Sequence, residues 1–415
     1  MRLITTTIAL ALSTLLSSAT AQQQYPKCGL DCTMAGIAQS RCSPTDTACI
    51  CTDKELIQAI TQCVALNCTI KEQLTTQNVS YTTCGAPIRD RGSLVAGVGA
   101  GGGAVALVVY IVRISAKFIV PAARLGYDDL SITVAMVLGI VFSVLSVILT
   151  KNGYGKDIWT IPFDHITQIL KIYFVDEVIY LVTISMTKMA ILSFYLRVFP
   201  ETYFRRLVFI VMGATVAYMI AFVLVSVFQC RPVSLAWTHW DGEHEGHCNN
   251  VNAQGWAAAG INIGLDVTIV VMPLGLISRL NLHWKKKLQI SIMLSVGIFV
   301  TIVSILRLDT LSSFAKSTNV SWDGVPFGYW SSIELHVGII CACMPALYSL
   351  FKHYFPQVFS GTVQGKSTKG SNTGRSSGNR TPVIHMDLRK DENKGDFHPL
   401  VDIESVQDGR PGVAI

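Results

Sequence analysis

The stretch LSITVAMVLGIVFSVLSVIL, residues 130–149, is twenty residues long and has no formal charge. At 1.5 Å rise per residue it covers about 30 Å, the thickness of a bilayer's hydrocarbon core. A helix on the surface of a soluble protein would carry a charged face at 3.6-residue spacing, and here only Ser, Thr and Gly interrupt the apolar run. Working outward, six more runs of similar length follow the same rule: about 93–113, 172–196, 207–229, 257–278, 289–309 and 330–351. With the first stretch, read as 128–149, they make seven predicted transmembrane helices. Charged residues make up only 14% of the 415-residue chain, where about 25% is usual for soluble proteins. Polar zones flank the apolar centre: a cysteine-dense one before residue 92 and a Gly/Ser-rich one after about residue 356. The expected fold is therefore all-α, with a small disulfide-stapled helical domain, a seven-helix bundle and a disordered tail at 356–415. The net charge of +6 is spread over loops, so membrane lipids, and not nucleic acid, are the expected surroundings.

Two signals set the expected orientation. Residues 1–21 read as a signal peptide: a basic Met1-Arg2 start, a mostly apolar Leu3 to Leu16, and Ala19-Thr20-Ala21 as a small-x-small cleavage site. That puts the next segment outside the cell, in an oxidising compartment. Loop charges agree with this. Arg113, Lys117, Arg124, Arg197, Arg205, Arg206, Arg279 and Lys285 to Lys287 fall on the inner side, and Lys151, Lys156, Lys171, Arg231 and Lys316 on the outer. The expected location is the plasma membrane, multi-pass, with the N-terminus extracellular and the C-terminus cytoplasmic.

Eight cysteines lie within the segment 22–88: Cys28, Cys32, Cys42, Cys49, Cys51, Cys63, Cys68 and Cys84. A secreted segment this short cannot bury a sufficient core, so four disulfides are expected to hold it, in one of 105 possible pairings. Zinc is disfavoured because the zone contains no histidine. Two helices can be placed. One begins at Ser43-Pro44-Thr45-Asp46, with Ser43 as N-cap and Asp46 closing a capping box, and the second begins at Thr52-Asp53-Lys54-Glu55. Asn67, Asn78 and Asn319 sit in glycosylation sequons.

The spacing of these cysteines, with Pro26-Lys27 before Cys28 and the Cys49-Ile50-Cys51 pair, resembles the fungal CFEM domain. The resemblance covers roughly residues 22–88. It implies ferric haem as a cofactor, with the aspartate three residues before the Cys-x-Cys pair, Asp46, as axial iron ligand. A hard carboxylate oxygen favours ferric over ferrous iron. Helix capping alone is the competing role for Asp46.

Ionisable residues inside the spans are costly and mark sites or locks. Asp176, Glu177 and Lys188 fall in the third span, Asp266 in the fifth, Arg307 in the sixth, and Glu334 and His336 in the seventh. They are expected either to line an outward-facing ligand pocket or to pair, as Glu334 with Arg307 and Asp266 with Lys188. Gly97/Gly101 and Gly99/Gly103 have the four-residue spacing of close helix packing. Cys230 and Cys248 are expected to close a loop rich in Trp, Asp, Glu and His, a solvated face or a metal site.

Thr187 to Leu192, Phe194 to Arg197, Asp266 with Met272-Pro273-Leu274, and Glu334 with Gly338 to Ala342 and Pro345 resemble the fungal rhodopsin-like seven-helix domain, over about residues 93–355. That resemblance implies a G-protein-coupled-receptor-like sensor with an unknown extracellular ligand and a heterotrimeric G protein on the cytoplasmic side, engaged by Arg197. Arg197 as a positive anchor is the alternative. Combined with the CFEM domain, the resemblance implies surface or host sensing, infection and virulence in fungi. Haem or iron acquisition, or a CFEM virulence effector acting on host immunity, are the alternatives. Retinal is not expected, since its Schiff base needs a lysine in the last span and none lies between Trp330 and Phe351. No nucleophile–base constellation, phosphate-binding loop or zinc motif suggests an enzyme. The chain ends in polar sequence, so no glycosylphosphatidylinositol anchor is expected.

Overall fold

The computed structural model describes residues 25–119, 126–277, 284–314 and 317–354. The expected signal peptide, the whole expected tail and part of the third inner loop lie outside them. Four helices build the cysteine-rich domain: α1 (Lys27–Gln39), α2 (Thr47–Thr52), α3 (Lys54–Asn67) and α4 (Ile70–Thr83). The first expected helix starts later than Ser43. Asp46 is itself the N-cap, its Oδ1 accepting the Cys49 amide at 3.0 Å, while the Ser43 hydroxyl faces Thr45. Asp53 caps α3 by accepting the Glu55 and Leu56 amides. Thr69 and Glu72 form the capping box of α4.

Two small apolar clusters hold the domain, one around Cys32, Val64 and Cys68 and the other around Ile37, Cys42 and Leu56. Cores of three buried residues cannot offset the ordering of some sixty, and crosslinks supply the rest. The bonds are Cys28–Cys68, Cys32–Cys63, Cys42–Cys49 and Cys51–Cys84. Gly29 lets α1 lie against α4, since a Cβ there would stand 2.1 Å from the Thr76 hydroxyl.

The described residues contain seven helices long and apolar enough to cross a membrane. They are α5 (Gly92–Ile119), α6 (Tyr127–Lys151), α7 (Phe163–Val198), α8 (Thr202–Val227), α10 (Val251–Ile277), α11 (Trp284–Phe314) and α13 (Val325–Tyr354). Two four-residue turns, α9 (Leu235–Thr238) and α12 (Val320–Asp323), sit in connections, as does the ribbon of β1 (Cys230–Arg231) and β2 (His247–Cys248), closed by the Cys230–Cys248 bond. Large apolar side chains such as Val108, Ile210 and Phe209 point outward, the surface a lipid environment requires. The molecule is a multi-pass membrane protein.

The spans pack in chain order, and α13 closes the bundle by touching α5, α7 and α11. Its packing partners and those of α7 make these two the most buried spans. At 36 residues α7 is about 54 Å long, well beyond the hydrocarbon core, so its first turns stand clear of it. Lys171, expected in a loop, therefore lies within this helix. Of the two glycine pairs, Gly99 and Gly103 meet Ser146 and Ser143 of α6, whereas Gly97 and Gly101 face open space.

Candidate functional site

The centre of the bundle holds a closed ionic network. On α7, Tyr173, Asp176, Glu177 and Tyr180 follow the i, i+3, i+4, i+7 spacing of one helix face, and Lys188 continues the stripe two turns further on. Lys188 pairs with Asp266 of α10. One turn before Asp266, the Asn262 amide donates to Glu334 of α13 at 2.8 Å and to Asp266 at 3.4 Å. The Ser304 hydroxyl of α11 lies 2.7 Å from Glu334, and the Tyr180 hydroxyl donates to the other Glu334 oxygen at 2.7 Å. Arg307 Nε stands 2.9 Å from that oxygen, too bent for a hydrogen bond but close enough for an ion pair, and its guanidinium lies over the Tyr180 ring. Two cations and two anions thus cancel across four helices. Both expected pairs, Glu334–Arg307 and Asp266–Lys188, are present. Such a network resists separation because losing one partner strands a buried charge.

Above this floor, on the side of the cysteine-rich domain, lies a cavity of about 140 Å³ bounded by Asp176, Glu177, Tyr173, Tyr180, Arg307 and Phe327. A second cavity, about 270 Å³ and more apolar, continues toward the domain and shares Tyr154, Tyr173 and Glu177 with the first. The pocket and lock alternatives are thus two storeys of one site: Asp176 and Glu177 line the cavity, and Lys188, Asp266, Arg307 and Glu334 form its floor. Glu177 Oε1 accepts from Ser226 at 2.9 Å and from Gln254 at 3.4 Å. Asp176 is 7% exposed and its Oδ1 has no hydrogen-bond partner among the described residues. His336 departs from the expectation. Its Nε2 meets Ser143 of α6 at 3.0 Å and its ring lies against Gly102 and Gly103 of α5, facing away from the cavity. Depth in the membrane did place it near the acids, but its position around the helix turns it to the other side.

The cysteine-rich domain docks on the loops at this end of the bundle, through α4 and the tether after it, and lines neither cavity. Lys71 contacts Asp241 and Glu243 at 3.4 and 2.7 Å, and Tyr81 stacks on Trp159 at 4.9 Å. Arg89 pairs with the buried Asp157 and, with Arg91, lies over the Trp322 ring. The hydrogen bond to Glu243 holds the Lys71 ammonium above its usual range, and Asp157 does the same for Arg89. Partial burial would raise the Asp241 carboxyl, but the Glu243 amide, His244 and Lys71 outweigh it and hold it below. The acidic, histidine-bearing loop thus serves as a docking face, and among the described residues it forms no metal-ligand cluster. Where Gly155 crosses Gly92 the two backbones touch. A Cβ on Gly155, whose φ is +97°, would stand 2.5 Å from the Gly92 nitrogen, and the Arg91 amide donates to Gly155 at 2.9 Å.

Asp46 is exposed, with one oxygen bonded to Cys49. Asn67 is exposed and donates to Cys63, and Asn78 is half-buried on α4. Asn319 does not fit an acceptor role in the folded chain. It is 7% exposed, its amide nitrogen donates to Asp157 at 2.8 Å, and its oxygen accepts the Ile158 amide.

At the far end of the bundle the structure reveals a cluster that sequence reading passed over. Arg113 is buried, donating to Asp128 and Asp129 at 2.6 and 2.7 Å and to the Ala342 carbonyl of α13 at 2.6 Å. Lys117 adds a contact to Asp129 at 3.0 Å. Arg197 is exposed at the end of α7, 4.0 Å from Asp128. The spacing of Arg113 and Lys117, one turn apart, facing Asp128-Asp129 across one connection, was the available signal.

Residues 112–353 match the family model described as the fungal rhodopsin domain, and residues 21–85 match the CFEM domain. The chain belongs to the fungal rhodopsin domain family and carries a CFEM domain at its N-terminal side. Neither is an enzyme family. A SAT4 family membrane protein of Emericella nidulans is 27% identical over 236 residues, 56% of this chain and 59% of the relative. Receptor GIN3 of Arthrobotrys oligospora is 26% identical over 258 residues, 61% of this chain and 62% of the relative. Over the cysteine-rich domain, a GPI-anchored hemophore of Arthroderma benhamiae is 42% identical across 77 residues, 18% of this chain and 40% of the relative. The chain spans about three fifths of the length of the first two relatives. No solved structure matches.

Proposed function

We propose that the chain is a plasma-membrane receptor-like sensor, its CFEM domain outside the cell and Arg197 with the third inner loop facing a heterotrimeric G protein within. The observation that carries this reading is the cavity between the loops that hold the docked domain and an ionic floor shared by four helices. A ligand there touches α7, α10, α11 and α13 at once, so two packings of the bundle would differ in affinity for it, which is what a signalling equilibrium requires. The relative named a receptor supports the same reading. The ligand would report a surface or host to the fungus and so serve infection and virulence. The test is co-purification of the full chain with a Gα subunit, beside a chain lacking residues 278–288. A complex released by guanine nucleotide and lost with the deletion is expected, and its absence from the intact chain overturns G-protein coupling. Catalysis forms no part of this reading.

The likeness of the cysteine-rich domain to a hemophore favours one second reading, haem capture at Asp46. The residues fit: the side chain is exposed, and only one carboxylate oxygen is engaged in the N-cap. Bound haem would supply a ferric centre for that oxygen to ligate. Titrating the full chain with ferric haem should then shift the Soret band, and Asp46→Ala should abolish the shift. A titration without a shift removes this reading and leaves the receptor reading standing.

A further inference from the structure

Charge is balanced in the floor and unbalanced in the cavity above it. Lys188 and Arg307 are committed to Asp266 and Glu334. Asp176 and Glu177 face the cavity with no cation among the described residues paired to either. Among the described residues, three of the unsatisfied atoms there are acceptors, beside the Tyr154 hydroxyl and Arg307 Nε, the latter already ion-paired with Glu334. Asp176 Oδ1 and the side-chain oxygen of Gln254 line the cavity, and that of Gln229 lines its outward continuation. All three are buried acceptors without donors. The Gln254 amide is oriented by its own donation to Ser226 at 2.8 Å, so its free atom is the oxygen. Buried acceptors without donors carry a desolvation cost that a donor-bearing ligand removes.

Resting on the receptor reading, we infer that this cavity binds a small primary ammonium compound, its cationic head at Asp176 and its apolar body against the aromatic wall. Tyr173, Tyr180 and Phe327 present rings to that body, the last two also lying under the Arg307 guanidinium. A cavity near 150 Å³ accommodates a body the size of benzene. A longer apolar chain extends toward Ile158, Ile161 and Ile169 in the outward cavity. A neutral polyol would satisfy the acceptors but bring no positive charge to the two carboxyl groups, so charge selects the amine.

The experiment uses the full chain in detergent, with phenethylamine and the n-alkylamines from methylamine to octylamine as probes. Phenethyl alcohol and the matching alcohols are their neutral counterparts. Amines should raise the melting temperature and bind at least tenfold more tightly than the alcohols. Asp176→Asn should weaken amine binding about 100-fold or more, while the empty variant melts no lower than the parent. Equal binding of amine and alcohol, unchanged binding by the variant, or no shift from any amine each overturns the inference. The alcohol comparison needs no variant and stands whether or not Asp176→Asn folds. The Gα complex is read separately. If it persists while amines fail, the ligand class falls and the receptor reading stands; amine binding without a Gα complex gives the reverse.

Discussion

The two ends of the bundle obey the same solvent and treat charge differently. At the far end Arg113 and Lys117 face Asp128 and Asp129, and the guanidinium also reaches a backbone carbonyl of α13. At the domain end Asp176 and Glu177 face a cavity whose one lining cation among the described residues, Arg307, is paired with Glu334 instead. Hydrocarbon penalises every unpaired charge alike, so the paired cluster reads as structure and the unpaired acids as a site kept open for something else.

The sharpest way to break this contrast is to strand charge at the far end. Arg113→Ala leaves two buried carboxylates without their main partner and should cost about 3–5 kcal/mol, read as a large drop in melting temperature and in folded yield. An unchanged melt would make the cluster ornamental. In the floor, Lys188→Met alone should cost about 3 kcal/mol, whereas Lys188→Met with Asp266→Leu should recover most of the loss. A double variant as poor as the single would show that the pair does more than neutralise itself. Asp176→Asn inverts the pattern. It removes an unpaired charge and should leave stability unchanged or raise it by about 1 kcal/mol; a drop as large as that of Arg113→Ala would erase the distinction between the two ends. The smallest effect concerns the docked domain. Tyr81→Ala forfeits a ring stack of about 0.5–1.5 kcal/mol, visible as faster hydrogen exchange in α4. Docking should also depend on pH. The Asp241 carboxyl is held below its usual 3.8 when docked, so its contribution is full above that value and fades as pH falls through the docked one. Lys71 is held above its usual 10.5, so its contribution is full below that value and fades as pH rises through the docked one. Protection of α4, its exchange rate divided into the intrinsic rate at the same pH, should therefore be greatest between about pH 4 and pH 10.

Much of the architecture was legible because hydrocarbon imposes a length and an absence of charge that a sequence displays directly. The eight cysteines were legible as a framework, but their pairing was not, since 105 arrangements share one spacing. The ion pairs of the floor could be named because depth along a helix is read by counting. Position around the helix is set by neighbours, and for that reason His336 went to the wrong face. Arg113 was missed because hydropathy ends a span at the first charge while backbone hydrogen bonding carries α5 on to Ile119. Asp46 displaced Ser43 as cap because Pro44 and Thr45 did not enter the helix. The docking face was invisible altogether, as it joins residues such as Lys71 and Glu243 whose meeting depends on every element between them.

The crossing of Gly92 and Gly155 has a mechanical meaning. With no side chain between the two backbones, the join has no compliant layer to absorb displacement. The crossing clamps the first residue of α5 to the turn that follows α6, the two helices that also meet through Gly99 and Gly103. A bulky residue at position 155 would act as a wedge driven between the start of α5 and the turn after α6.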